Sequence, residues 1–210
     1  MASGASVVFC GSDVVAGELL QDGLMVADDQ TVGFVPADVS DGGSVTDLVD
    51  LTELLLGGID ILCHSVGAHP ESDLGSTSDE MWQDVMNATL TSSMTLTRSV
   101  LAHLSAGEDG RVILVSSCPE PRPGVSVPVH HSTSQSGMEG FARAAALELA
   151  PAGITVNMLS VSSSGAERAP DDAWSGLGQS VAFLASARSS LVTGQLLSVV
   201  GSRSLAGLRN

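Results

Sequence analysis

Apolar residues recur with two alternating periods along the 210-residue chain. Short aliphatic or β-branched runs lie at 5–10 (ASVVFC), 23–27 (GLMVA), 33–36 (GFVP), 59–64 (IDILCH), 111–117 (RVILVSS), 154–159 (ITVNML) and 194–200 (GQLLSVV). Runs of this kind suit strands buried on both faces. The later gaps, 44–56, 78–104, 132–150 and 173–185, carry apolar residues at three- and four-residue spacing, the signature of amphipathic helices. Strand and helix in alternation demand right-handed crossovers, so the pattern predicts an α/β fold: a doubly wound parallel sheet with helices on both faces. Ligands of such sheets bind beyond the C-terminal ends of the strands, which makes CGSD, ADD, ADVSD, CHSVG, VSSC and LSVSSS the tips expected to ring a cleft. No repeat or linker interrupts the pattern, and one domain over 1–210 is expected.

Charge narrows the partners. A net charge of −16 with only eight basic residues leaves little with which to neutralise phosphates, so neither nucleic acid nor an anionic membrane is an expected partner. No apolar run reaches membrane-spanning length and MASGASVVFCG does not read as a leader, so a cytoplasmic protein is expected. Cys10, Cys63 and Cys118 are odd in number, lack CxxC spacing and adjoin apolar runs, which reads as buried thiols.

The chain contains no tyrosine and no lysine, which excludes any mechanism needing either side chain. Among what remains, His131 and Gln135 stand one turn apart on one face of the 132–150 helix, where an acid–base pair could sit. His131 reads either as a general acid or base titrating near neutrality or as a polar residue at a helix start. His130 reads as a solvent-exposed neighbour, His69 as surface, and His103 as a favourable charge near a helix C-terminus. His64, His69 and His131 match no common ligand spacing, and no metal is expected.

The order and wording of four segments resemble the short-chain dehydrogenase/reductase family: GGIDILCHSVGAH (57–69), GRVILVSS (110–117), STSQSGMEGFARAAALELAPAGITVNMLS (132–160) and VAFLASARSSLVTGQLLSVVGS (181–202). The resemblance implies a Rossmann-like single domain, here with shortened N-terminal helices and a shortened lid between Ser163 and Ala173. Carried over residue by residue, it puts Ser117 at the family's catalytic serine, His131 at its tyrosine, Gln135 at its lysine and Thr89 at its asparagine, with Asn87 two residues earlier. Its Gly-rich turn keeps Gly11 and Gly17 but has Val15 at the middle glycine. Asp28 matches the ribose-binding acid, and Asp38 and Val39 match the adenine-contacting pair. The Asn-Asn-Ala-Gly turn reads His64-Ser65-Val66-Gly67, and Pro-Gly reads Val161-Ser162.

With so many identities changed, the expectation is a cofactor-independent proton-transfer enzyme of cyclase, dehydratase or isomerase type, binding no NAD(P) and acting on a small, polyketide-like metabolite. His131 would move the proton, Ser117 would bond an oxyanion, and His64, Thr89, Asn87 or Gln135 would position the substrate. Gly11, Gly17, Asp28, Asp38 and Val39 would then be vestiges of a cofactor site. The alternatives are a non-catalytic paralogue that stabilises another member of the family and an atypical NAD(P)-dependent reductase with histidine as donor. The resemblance also implies a homodimer or homotetramer through 85–104 and 132–150.

Overall fold

The computed structural model describes residues 4–65, 70–107, 109–116, 127–161 and 171–199. Six strands and six principal helices are found among them: β1 (Val7–Gly11), α1 (Val14–Gly23), β2 (Val32–Pro36), α2 (Gly42–Leu56), β3 (Ile61–Ser65), α3 (Asp79–Met86), α4 (Ser92–Ala106), β4 (Arg111–Ser116), α5 (Val129–Leu149), β5 (Thr155–Val161), α6 (Asp171–Ala185) and β6 (Leu196–Val199). All strand pairs are parallel, in the ladders β1–β2 and β3–β4–β5–β6. The α/β architecture expected from the periodicity is therefore present, with its hydrogen bonding divided between two ladders.

Packing explains why β4 and β5 are central. Every residue of both strands is buried. Val112 and Leu114 point into a core shared with α4 and α5, while Ile113 and Val115 pack with Leu184 and Leu177 of α6 on the other face. The alternation follows from the two-residue period of a strand. Each fully buried Leu or Ile there contributes roughly 2 kcal/mol. Helix ends are written locally. Asp13 caps α1 by accepting from Ala16 N (3.0 Å), Asp41 caps α2 through Ser44 N (2.9 Å), and Ser78 caps α3 through Met81 N (3.1 Å). Gly57 closes α2 at φ 80°, a conformation that favours glycine.

Two expectations fail at the N-terminal end. Residues 23–27 form no strand: Leu24 N bonds Gln21 O, the backbone turns between Ala27 and Gln30, and Met25 is 92% exposed. Too few residues separate this run from the next for a parallel crossover, so β2 pairs directly with β1. The chain selects the strand whose Phe34 packs at a tilt beside Phe9, with ring centroids 5.3 Å apart, and lies against Gly17. Without a strand at 23–27, α1 extends over ten residues instead of the single turn expected. Cys10 and Cys63 are exposed free thiols instead of buried ones, because they lie on the poorly covered strands β1 and β3. No described helix is long and apolar enough to cross a membrane.

Candidate active site

The helical run 78–104 is continuous in direction but not in winding. Between α3 and α4, residues Asn87–Thr91 form a π-helical turn. Such turns expose or redirect backbone and side-chain groups and recur at functional sites. Thr89 lies at its centre, fully buried, with an Oγ1 that has no hydrogen-bond partner. Its carbonyl accepts from Ser93 Oγ (2.7 Å) and Ser92 Oγ (3.1 Å). Asn87, the other candidate on this turn, is exposed, and its Oδ1 accepts a long bond from Thr91 Oγ1 (3.4 Å), so it does not share the burial of Thr89.

From β3, His64 reaches the same turn. It is buried, with Nε2 2.9 Å from Ser92 Oγ. Ser92 directs its one proton at the neighbouring Ala88 and Thr89 carbonyls (2.7 and 3.1 Å), so His64 Nε2–H is assigned as the donor in the pair. Burial pushes the His64 pKa down to about 4, against a smaller opposing contribution from the Thr89 backbone. His64 is therefore a neutral tie between strand and π-turn at neutral pH, not a proton carrier.

Helix α5 supplies the remaining side chains. Its first turns bury His130, His131, Ser134 and Gln135. His130 is not the exposed residue expected: it is 0% exposed, with Nε2 3.1 Å from Pro70 O. His131 and Gln135 are 5% and 3% exposed, as their four-residue spacing requires of one helix face. Both Nε2 and Oε1 of Gln135 lack a hydrogen-bond partner, as does Ser116 Oγ at the C-terminal end of β4. Buried polar groups are seldom left unsatisfied, so each of these atoms is open to a water or another polar group. Gly137 brings α5 against the π-turn: a Cβ there would lie 2.7 Å from Leu90 Cδ2. Ser117, His69, Val66, Gly67 and Ser162 lie outside the described residues, as do Cys118 and the segment 163–170 of the expected lid. Among the described residues no cluster of His, Cys, Asp and Glu could hold a metal ion.

At the tips of β1 and β2, Ser12, Ala37, Asp38, Val39 and Ser40 line a cleft of about 230 Å³ closed by Ala88. The side chain and backbone N–H of Ser40 hold Asp38 below the usual carboxylate range, with Oγ at 2.7 Å and N at 2.9 Å from Oδ1. A carboxylate and the apolar Val39 stand at its wall. At the neighbouring N-terminus of α1, the Asp13 carboxylate occupies the end that would otherwise welcome a diphosphate. Gly17 serves packing, since any Cβ would strike the Phe34 ring, and Val15 is 67% exposed. A Cβ on Gly11 would meet nothing, so the β1 tip is open. Asp28 is not at the cleft. Its turn adjoins Gln30, whose Nε2 donates to Ala5 O (3.3 Å) at the N-terminal end of the ladder. The cleft is at the other end, about 13 Å away along five residues of strand.

The sequence did not point to Ser92, Ser116 or the π-turn. Asp13 was legible as a helix cap in GSDVV.

The sequence model of the short chain dehydrogenase family matches residues 1–166. The chain belongs to that family. It is 37% identical over 165 residues to the monensin polyketide synthase putative ketoacyl reductase of Streptomyces virginiae, covering 75% of this chain and 60% of that protein. It is 29% identical to the (2S)-[(R)-hydroxy(phenyl)methyl]succinyl-CoA dehydrogenase subunit BbsD of Thauera aromatica, over 96% of this chain and 88% of that one. A blue fluorescent protein from a metagenomic library, solved in complex with NADPH, shares the fold at a TM-score of 0.82 and 24% identity, covering 95% of this chain and 88% of that chain.

These findings correct two expectations. A cofactor-independent lyase, cyclase or isomerase is overturned by a family match running through both the cleft and the start of α5, and by relatives named as reductases and dehydrogenases. The expectation of no NAD(P) falls with it. The loss of the middle glycine does not carry that expectation, since Asp38 and Val39 still line a formed cleft at the β2 tip.

Proposed function

We propose that the protein is an atypical NAD(P)-dependent carbonyl reductase in which His131 replaces the family's usual proton donor. The observation that carries this reading is the burial of His131 in the first turns of α5, in a family-matched segment that follows the C-terminal end of β4. Asp38 and Val39 would hold the adenosine, beside Ser12. When bound there, a dinucleotide would supply the hydride that reduces the carbonyl carbon. His131 gives its proton to the carbonyl oxygen, and an imidazole can do so near neutrality without help from a lysine. Gln135, Thr89 and Ser116 offer neutral hydrogen-bonding groups to the reactants. The described lining of the cleft holds no basic side chain for a 2′-phosphate, which favours NADH over NADPH. A ketoacyl thioester is the substrate class to try first, given the relatives' names.

Steady-state NADH oxidation with an acetoacetyl thioester tests the reading. Turnover that falls at least about a hundredfold in His131→Gln is expected; an unchanged rate in that variant removes His131 from the chemistry. Self-association through 85–104 and 132–150 belongs to the same reading, supported by Leu147 at 81% exposure and Met94 at 37%. Light scattering should give a dimer or tetramer that Leu147→Glu dissociates, and a monomeric wild type would refute it.

A further inference from the structure

We infer that Ser92 is a positioning residue: tied to His64, its hydroxyl holds the π-turn that sets Ala88 at the cleft and the Thr89 hydroxyl in the buried site. The inference rests on the reductase reading for what the turn presents, and on backbone geometry for how the turn is held. In an α-helix Ser92 N–H would bond Ala88 O, four residues back. Here it points to Asn87 O, five back, and to Thr89 O, which leaves the Ala88 carbonyl without that partner. The Ser92 side chain makes good the loss, with Oγ 2.7 Å from Ala88 O and 3.1 Å from Thr89 O. Ser93 Oγ adds a bond to Thr89 O at 2.7 Å. Hydroxyls that bond carbonyls one turn back compete with the regular ladder and bend helices. Two in succession write the π-turn into the sequence.

His64 fixes the turn to the sheet. Its Nε2–H donates to Ser92 Oγ at 2.9 Å, from a strand held in register by the pairing of His64 with Leu114 of β4. His64 and Ser92 are 3% and 1% exposed, so bulk water does not stand in for either partner. A π-turn holds one residue more than the α-helical turn it replaces. Its loss would therefore rotate the residues on one side by about 100° relative to the other. Ala88 and Thr89 lie inside the turn, and Val85 is buried just before it. Ala88 closes the cleft lined by Asp38 and Val39, while Thr89 Oγ1 is buried without a partner. One hydrogen-bonded pair thus sets two places at once: the wall of the dinucleotide's cleft and a hydroxyl offered to the reactants. Ser92 itself lines no part of the cleft and acts through the turn.

The test compares two pairs of full-chain variants. Ser92→Ala removes the hydroxyl and Ser92→Thr keeps it; His64→Leu removes the donor and His64→Gln keeps a side-chain N–H in its place. A crystal structure of Ser92→Ala should show the backbone N–H of position 92 on Ala88 O and Ala88 withdrawn from the cleft. Calorimetric affinity for NADH and kcat with an acetoacetyl thioester should each fall about tenfold in Ser92→Ala and His64→Leu, the equivalent of one hydrogen bond. The KM for the thioester should change less than kcat, and Ser92→Thr and His64→Gln should stay close to wild type. A Ser92→Ala structure that keeps the π-turn and the place of Ala88 overturns the inference. Should Ser92→Ala fail to fold, equal NADH affinity and kcat in His64→Leu and His64→Gln overturn it. A wild type that neither binds a dinucleotide nor turns over, with the π-turn still lost in Ser92→Ala, would defeat the reductase reading and leave the hold of Ser92 on the turn standing.

Discussion

His64 shows how one side chain converts burial into a pH dependence. Its pKa is about 4 in the folded protein against an ordinary histidine value of 6.5. Between those values the unfolded chain binds a proton that the folded chain refuses, so stability is full above about 6.5 and declines as pH falls toward 4. The loss attributable to this residue reaches roughly 3 kcal/mol. Chemical denaturation of wild type and His64→Gln should therefore give a wild type that loses more stability on acidification; parallel losses would mean that His64 titrates normally. Asp13 carries a second residue-scale prediction. Its cap is needed by α1, but its charge faces the place a diphosphate would take, so Asp13→Ser keeps the cap and removes the repulsion. Dinucleotide affinity should rise about three- to fivefold by calorimetry, and weaker binding would show that the carboxylate is no obstacle.

At the scale of elements, the π-turn and α5 form one unit. Leu90 rides over Gly137, and the turn's carbonyls are taken up by Ser92 and Ser93, so Thr89 is held with its hydroxyl buried. Gly137→Ala must displace Leu90 and should lower stability by about 1–3 kcal/mol, read from the denaturation midpoint. An unchanged midpoint would mean that the contact is soft. The elements most legible in sequence were those with a strong period and a local cap, such as α2, α3 and the fully buried β4 and β5. The failed ones depended on competition. The run GLMVA has strand composition, yet so does GFVP, and only the pairing of Phe34 with Phe9 and Gly17 decides which of them joins β1. A π-turn leaves no mark in a hydrophobic pattern, because one extra residue in a helix shifts the period too little to read.

At the scale of the molecule, the site splits into a part that sequence could reach and a part that it could not. His131, Gln135, Thr89 and His64, candidates on sequence grounds, are all buried, which is as far as the structure speaks of the four together. Asn87 and Asp28 were misplaced because their positions depend on helix winding and on which strand enters the ladder. The absence of tyrosine, lysine and the middle glycine points away from a nicotinamide cofactor, whereas the family match and the relatives named as reductases point towards one; the cleft at the β1 and β2 tips does not depend on those lost residues. The charge of −16 makes the surface a poor home for anions in general, so the proposed reading rests a dinucleotide's affinity on that cleft.

Calorimetric titration of the full chain with NADH, beside NADPH, measures this most directly. Saturable heat at micromolar NADH, weaker for NADPH and abolished by Asp38→Ala, is the expected result. No heat from either dinucleotide at millimolar concentration would contradict a nicotinamide-dependent reductase.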